Sequence, residues 1–163
     1  MKRRSTFWKI FELPEVPSHV FLAGDVTAIL GIENWRLQKF LSGKHYQLTS
    51  SGRPGKGQGT RRLFRLEDVY RIGIANFLVN DGFAPDFVSK VLEFIEDSDL
   101  ISFDAEGRKR NSLIGFFRGV HGPDFRPISR SAQRPGNDAP YYLLDLDHIT
   151  TEIDRKSREV LRK

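Results

Sequence analysis

The sequence of 163 residues predicts an α+β fold, mostly helical with a small β wing, that continues into a short antiparallel β meander and a last helix. Apolar residues recur at helical spacing from Val26 to Leu41 and again from Val69 to Ile95. Short β-like runs separated by Gly- and Pro-containing breaks occupy Leu100 to Leu146. Between Asn34 and Leu66 there is no Asp or Glu, while Arg36, Lys39, Lys44, Arg53, Lys56, Arg61, Arg62 and Arg65 supply eight positive charges. The net charge is only +5, so its uneven distribution says more than its total: the acid-free stretch is a polyanion footprint.

Residues 1–20 read as an extended N-terminal arm, with Pro14 and Pro17 as its breaks and Phe7, Trp8 and Phe11 able to dock onto the body. The arm begins with basic residues, as export signals do, but Lys9 and Glu12 interrupt the apolar run. Nowhere does the chain approach the roughly 18 apolar residues of a membrane span, so a cytoplasmic protein without membrane contact is expected. The chain has no cysteine, which excludes disulfides, thiolate metal sites and thiol nucleophiles. His19, His45, His121 and His148 are not at metal-ligand spacing, and no cofactor is expected.

From Gly24 onward the pattern is helical. Asp25 falls in a first turn, Val26, Ile29 and Leu30 share one face, and Gly31 ends the helix. A second short helix follows in ENWRLQKFLSG, with Leu37, Phe40 and Leu41 inward and Trp35, Arg36, Gln38 and Lys39 free to point elsewhere, stopped by Gly43. Two short helices around a Gly-containing turn, the second basic on its outer face, is helix-turn-helix organisation. The plain alternative is two ordinary core helices.

The next stretch, SSGRPGKGQGTRRLFRLEDV, poses a choice between a nucleotide cradle and a DNA-gripping loop. A phosphate loop of the Walker type needs Ser or Thr after its Lys, but Lys56 is followed by Gly57. Gly55, Gly57 and Gly59 are spaced GxGxG rather than GxGxxG, with no βαβ context. Gripping a polyanion asks only for cations on a deformable backbone, which Arg53, Lys56, Arg61 and Arg62 supply. The segment therefore reads as a hairpin with a Gly-rich wing, with Tyr46, Leu48 and Leu63 as its strand residues.

Leu66 to Leu78 is helical, with Glu67 and Asp68 at its positive end and Asn80, Asp81 and Gly82 closing it. APDFVSKVLEFIED, residues 84–97, forms the next helix, with Pro85 in its first turn. LISFD, SLIGFFRGV, DFRPISRS and YYLLDL read as strands of the meander. The last helix runs from Asp147 to about Leu161, with Asp147 as its N-cap and Ile149, Ile153 and Val160 on one side. Phe103, Phe116, Phe117, Phe125, Tyr141 and Tyr142 lie on or beside these strands, where core packing outweighs a binding face. Arg108, Lys109, Arg110, Arg118, Arg126, Arg130 and Arg134 either extend the basic footprint or shield sheet edges from pairing. Asp145, Asp147, Glu152 and Asp154 have no nucleophile or base beside them; helix capping and charge balance are their expected tasks, and no enzyme activity is expected.

Residues 21–96 resemble the winged-helix DNA-binding domain of the MerR family of bacterial transcription regulators. FLAGDVTAILGI is similar to the family's opening segment, and ENWRLQKFL falls where the family carries its second helix. RRLFRLEDVYRI, through Arg62, Phe64, Asp68 and Val69, is similar to the wing exit, and DGFAPDFVSKVLEFI to the fourth helix. The resemblance implies a homodimer that lays its second helix in the major groove of each half-site and presses its wings on the backbone. By that carry-over Arg36, Gln38 and Lys39 contact the groove or phosphates, and Arg62 is a wing contact. The chain departs from the family in three places: Gln38, Lys39, Phe40 and Leu41 replace its usual Arg-Tyr-Tyr-acid run, the wing is longer, and no long dimerisation helix follows Ile95.

The organisation expected is thus an arm over 1–20, a MerR-like winged helix-turn-helix over 21–97, and a dimerisation or partner-binding region over 98–163. The function expected is sequence-specific double-stranded DNA binding by a transcription regulator, with RNA polymerase or another protein as a further partner. Its candidate contacts are Trp35, Arg36, Gln38, Lys39, Lys44, Arg53, Lys56, Arg61 and Arg62. The alternative is a protein–protein interaction module, or a phage-type architectural factor for excision or packaging on the same fold.

Overall fold

Glycine at residue 31 turns the chain where sequence periodicity places a helix end. The structure is a computed structural model that describes residues 20–46, 48, 62–101, 112–128 and 140–162. In it, Phe21–Leu22 forms a short strand, β1, that passes directly into helix α1, Ala23–Leu30. Asp25 fastens this start by accepting the Leu22 N–H at 2.8 Å, and α1 ends at Gly31 with φ 63°. Left-handed backbone of this kind suits glycine, and it lets the Ile32 N–H return to the Thr27 carbonyl at 3.1 Å. Helix α2, Asn34–Leu41, follows, with Leu37 and Phe40 buried.

Strand β2, Leu63–Phe64, follows Arg62. The sequence points to a hairpin of this stretch with Tyr46 and Leu48; instead β2 pairs antiparallel with β1, Phe21 opposite Phe64 and Leu22 opposite Leu63. Tyr46 and Leu48 are buried but belong to no strand among the described residues. The apolar character that suggests strands there serves packing: Phe40 meets Tyr46 edge-on with centroids 5.0 Å apart. The Gly-rich tip and the arm over 1–19 lie outside the described residues.

Helix α3, Leu66–Asn80, runs through the centre, and its start repeats the device of α1: Asp68 accepts the Arg65 N–H at 2.8 Å. Helix α4, Pro85–Phe94, stops at Ile95, short of the expected Asp97. Arg71 of α3 explains the stop, because its guanidinium donates to the Leu92 carbonyl at 2.9 Å, the Ile95 carbonyl at 2.8 Å and the Asp97 carboxylate at 2.8 Å. A cation that takes up carbonyls at the end of a helix also suits the helix dipole. The expected strand LISFD begins instead inside a short helix, α5, Asp97–Ile101. There Asp99 accepts the Glu96 N–H at 3.0 Å, and Leu100 is buried; the acids decide the backbone before β-propensity can.

Three antiparallel strands follow: β3, Leu113–Gly119; β4, Gly122–Ile128; and β5, Tyr142–Asp145, in the order β4-β3-β5. Ile114, Phe116 and Leu144 turn one sheet face to the core. Phe83 and Phe87 pack on Phe116 at 5.7 and 5.3 Å, and Phe125 and Tyr142 close the cluster at 5.3 and 5.1 Å from Phe116. These aromatics are core, whereas Tyr141 is exposed. Phe103 lies outside the described residues, as do Arg108, Lys109, Arg110, Arg130 and Arg134. Arg126 is committed to the sheet, pairing with Asp124 at 2.7 Å and lying 4.8 Å over the Phe117 ring.

The last helix, α6, is Leu146–Leu161. Its cap is Asp145, which accepts the His148 N–H at 3.0 Å, and not Asp147. The Leu146 N–H still donates to the Ser112 carbonyl at 3.0 Å, so strand turns into helix without a linker and the capping position falls two residues earlier. α6 packs on α1 and α3. Gly73 lets α6 approach α3 closely: a Cβ there would stand 2.5 Å from Ile153 Cδ1. Tyr70 of α3 donates its hydroxyl to Asp154 of α6. The fold is α+β, and one buried cluster runs from Phe21 and Val26 across residue 97 to Leu144, Leu146, Ile149 and Ile153.

Candidate nucleic-acid interface

Two turns of α2 bury Leu37 and Phe40, with Leu41 packed against the same core, and the opposite side faces outward. Trp35, Gln38 and Lys39 stand at i, i+3 and i+4 on that outer side. All three are exposed, Trp35 to 61 %, an unusual degree for the largest apolar side chain. Its ring is nevertheless oriented, since the indole N–H donates to Glu33. The Gln38 amide donates to Asn34 Oδ1 at 3.4 Å. Past the helix, Ser42 caps with its hydroxyl on the Lys39 carbonyl at 2.9 Å, Gly43 turns at φ 70°, and exposed Lys44 follows.

Arg36 behaves differently from its neighbours. It is half-buried, and its Nη2 donates to Asn80 Oδ1 at 2.5 Å. The side chain therefore spans from α2 to the last residue of α3, where the negative end of the helix dipole favours a cation. The same charge reaches Tyr46: burial pushes that phenol up, and Arg36 partly offsets the rise.

Arg62 is exposed at the entry to β2, directly before the residues that pair with β1. Arg53, Lys56 and Arg61 lie outside the described residues. Lys39, Lys44 and Arg62 have no carboxylate partner among the described residues. Some cations elsewhere on the surface are paired: Arg155 with Glu152 and Glu159 at 2.7 and 2.5 Å, and Lys156 with Glu152 at 3.6 Å.

Sequence reasoning missed three residues that hold this set: Glu33, Asn34 and Asn80. Asn34 was within reach, because an Asn four residues before a Gln can pair with it on a helix. Asn80, forty-four residues from Arg36, carries no local signal.

Among the described residues no group of three or more His, Asp or Glu could hold a metal ion, and no helix is long and apolar enough to cross a membrane. Neither a protein-family model nor a curated protein matches the chain.

Proposed function

We propose that this protein is a sequence-specific double-stranded DNA-binding regulator, acting as a homodimer in the manner of the MerR-type winged helix-turn-helix that residues 21–96 resemble. One observation carries the reading: α2 follows α1 across a Gly31 turn and offers solvent an oriented tryptophan, a glutamine and an unpaired lysine on one face. At about 1.5 Å per residue an eight-residue helix is about 12 Å long, comparable with the width of a major groove. Lys39, Lys44 and Arg62 meet phosphates, together with Arg53, Lys56 and Arg61, and set affinity without sequence preference. Arg36 acts as a positioning residue that fixes the pitch of α2 against α3.

Fluorescence anisotropy of the whole chain on labelled duplex, on single strand and on heparin tests this. Duplex bound more tightly than either competitor is the expected result. Equal affinity for all three, or none, contradicts it.

A protein-interaction module is the second reading, favoured by the exposure of Tyr141 and Leu143, 47 and 53 %, at the β5 edge. Stoichiometric capture of one protein by a chain that ignores duplex would support it.

A further inference from the structure

The exposed Gln38 amide has a neighbour on its own helix. One of its two amide hydrogens is directed at Asn34 Oδ1, 3.4 Å away, and Asn34 opens the helix that carries both. What Gln38 then offers outward is one N–H donor beside one C=O acceptor, in the plane of a single amide. In a major groove, adenine presents the matching pair, N7 as acceptor and N6–H as donor. Guanine presents two acceptors, O6 and N7, and would set O6 against the Gln38 carbonyl. Cytosine offers a lone donor and thymine a lone acceptor, so neither uses both Gln38 groups.

The side chains around it narrow the choice further. Arg36, the residue type best suited to guanine, is turned away to Asn80 and tethered at 2.5 Å. Lys39 is a flexible point charge and suits phosphate. Trp35, one turn before Gln38, is exposed to 61 % and held by Glu33, so it presents a fixed apolar surface to the groove. The apolar feature of a major groove is the thymine methyl group.

If α2 lies in a major groove, as the DNA-binding reading on which this rests holds, its side chains select the base. We infer that Gln38, oriented by Asn34, reads an adenine in each half-site, and that Trp35 packs on a thymine methyl close to it. Selectivity in this protein is therefore for A·T pairs under α2, with Arg36 contributing through position and not through base contact.

The experiment selects bound duplexes from a random pool with the whole chain, as wild type, Gln38→Ala and Gln38→Arg. Gln38 is exposed, so all three fold alike, which circular dichroism verifies. Wild type enriches adenine at one position per half-site. Gln38→Arg moves that position to guanine, the base a bidentate guanidinium prefers, and Gln38→Ala loses about 5- to 150-fold of discrimination there and nowhere else. Replacing the neighbouring thymine by uracil, which lacks the methyl group, weakens wild type but not Trp35→Ala. Duplexes retained with an unchanged base at that position in both Gln38 variants overturn the assignment while leaving DNA binding standing. A chain that retains no duplex at low salt overturns the DNA reading itself.

Discussion

The guanidinium of Arg36 donates to Asn80 Oδ1 at 2.5 Å and so joins the outward-facing helix α2 to the end of α3. Removing either side chain loosens α2 without touching the core. Because the hydrogen bond is open to solvent, Arg36→Ala and Asn80→Ala should each cost only about 0.5–1.5 kcal/mol. In a double-mutant cycle read by urea unfolding, the two losses should be coupled by about 0.5 kcal/mol or more. Strictly additive losses would show that this hydrogen bond does not bind the two helices together.

Gly73 and Ile153 set the distance between α3 and α6. A Cβ on Gly73 would stand 2.5 Å from Ile153 Cδ1 and 3.2 Å from Leu30 Cδ2. Gly73→Val should destabilise by about 1–3 kcal/mol through overpacking. Combined with Ile153→Ala, the total should fall short of the sum of the two single losses by about 1 kcal/mol, because the truncation makes room for the valine. Chemical denaturation of the four proteins decides this; a full sum would place the strain elsewhere.

Alkaline pH should weaken the fold through two tyrosines. Burial first, then the hydrogen bond to a carboxylate, holds the phenols of Tyr70 and Tyr142 well above their ordinary value; the partners are Asp154 and Asp81. Below about pH 10 both phenols are neutral in the folded and unfolded chains, so their contribution is fully present. As the pH rises further, the unfolded chain ionises and the folded one does not, so stability falls by about 1.4 kcal/mol per pH unit for buried Tyr70 and by less for Tyr142, whose bond to Asp81 is open to solvent. Tyr70 is the more deeply buried and should dominate. Tyr70→Phe should therefore flatten the decline of stability between about pH 10 and pH 12. An unchanged slope would contradict the assignment.

The ends of α1 and α2 are legible in the sequence because Gly31 and Gly43 act locally, and the apolar spacing of Val26, Ile29, Leu37 and Phe40 fixes which faces are buried. The outer set Trp35, Gln38 and Lys39 follows from the same spacing. What sequence cannot supply are the agreements between distant residues. Leu63–Phe64 looks like half of a hairpin because its true partner, Phe21–Leu22, lies some forty residues earlier. Arg36 looks like its exposed neighbours until Asn80 arrives beside it. Arg71 ends α4 from another helix, and Asp145 rather than Asp147 caps α6 because β5 runs into that helix without a break. In each case a tertiary partner overrides a local preference that is sound on its own terms.

The central claim is that Lys39, Lys44 and Arg62, beside α2 and at the entry to β2, grip phosphates, and the salt dependence of duplex binding tests it most directly. For wild type, log affinity against log salt should be linear, and the triple variant Lys39→Ala, Lys44→Ala, Arg62→Ala should flatten the slope by about 2.7, or about 0.9 for each phosphate no longer neutralised. A triple variant with the wild-type slope and affinity would contradict the account.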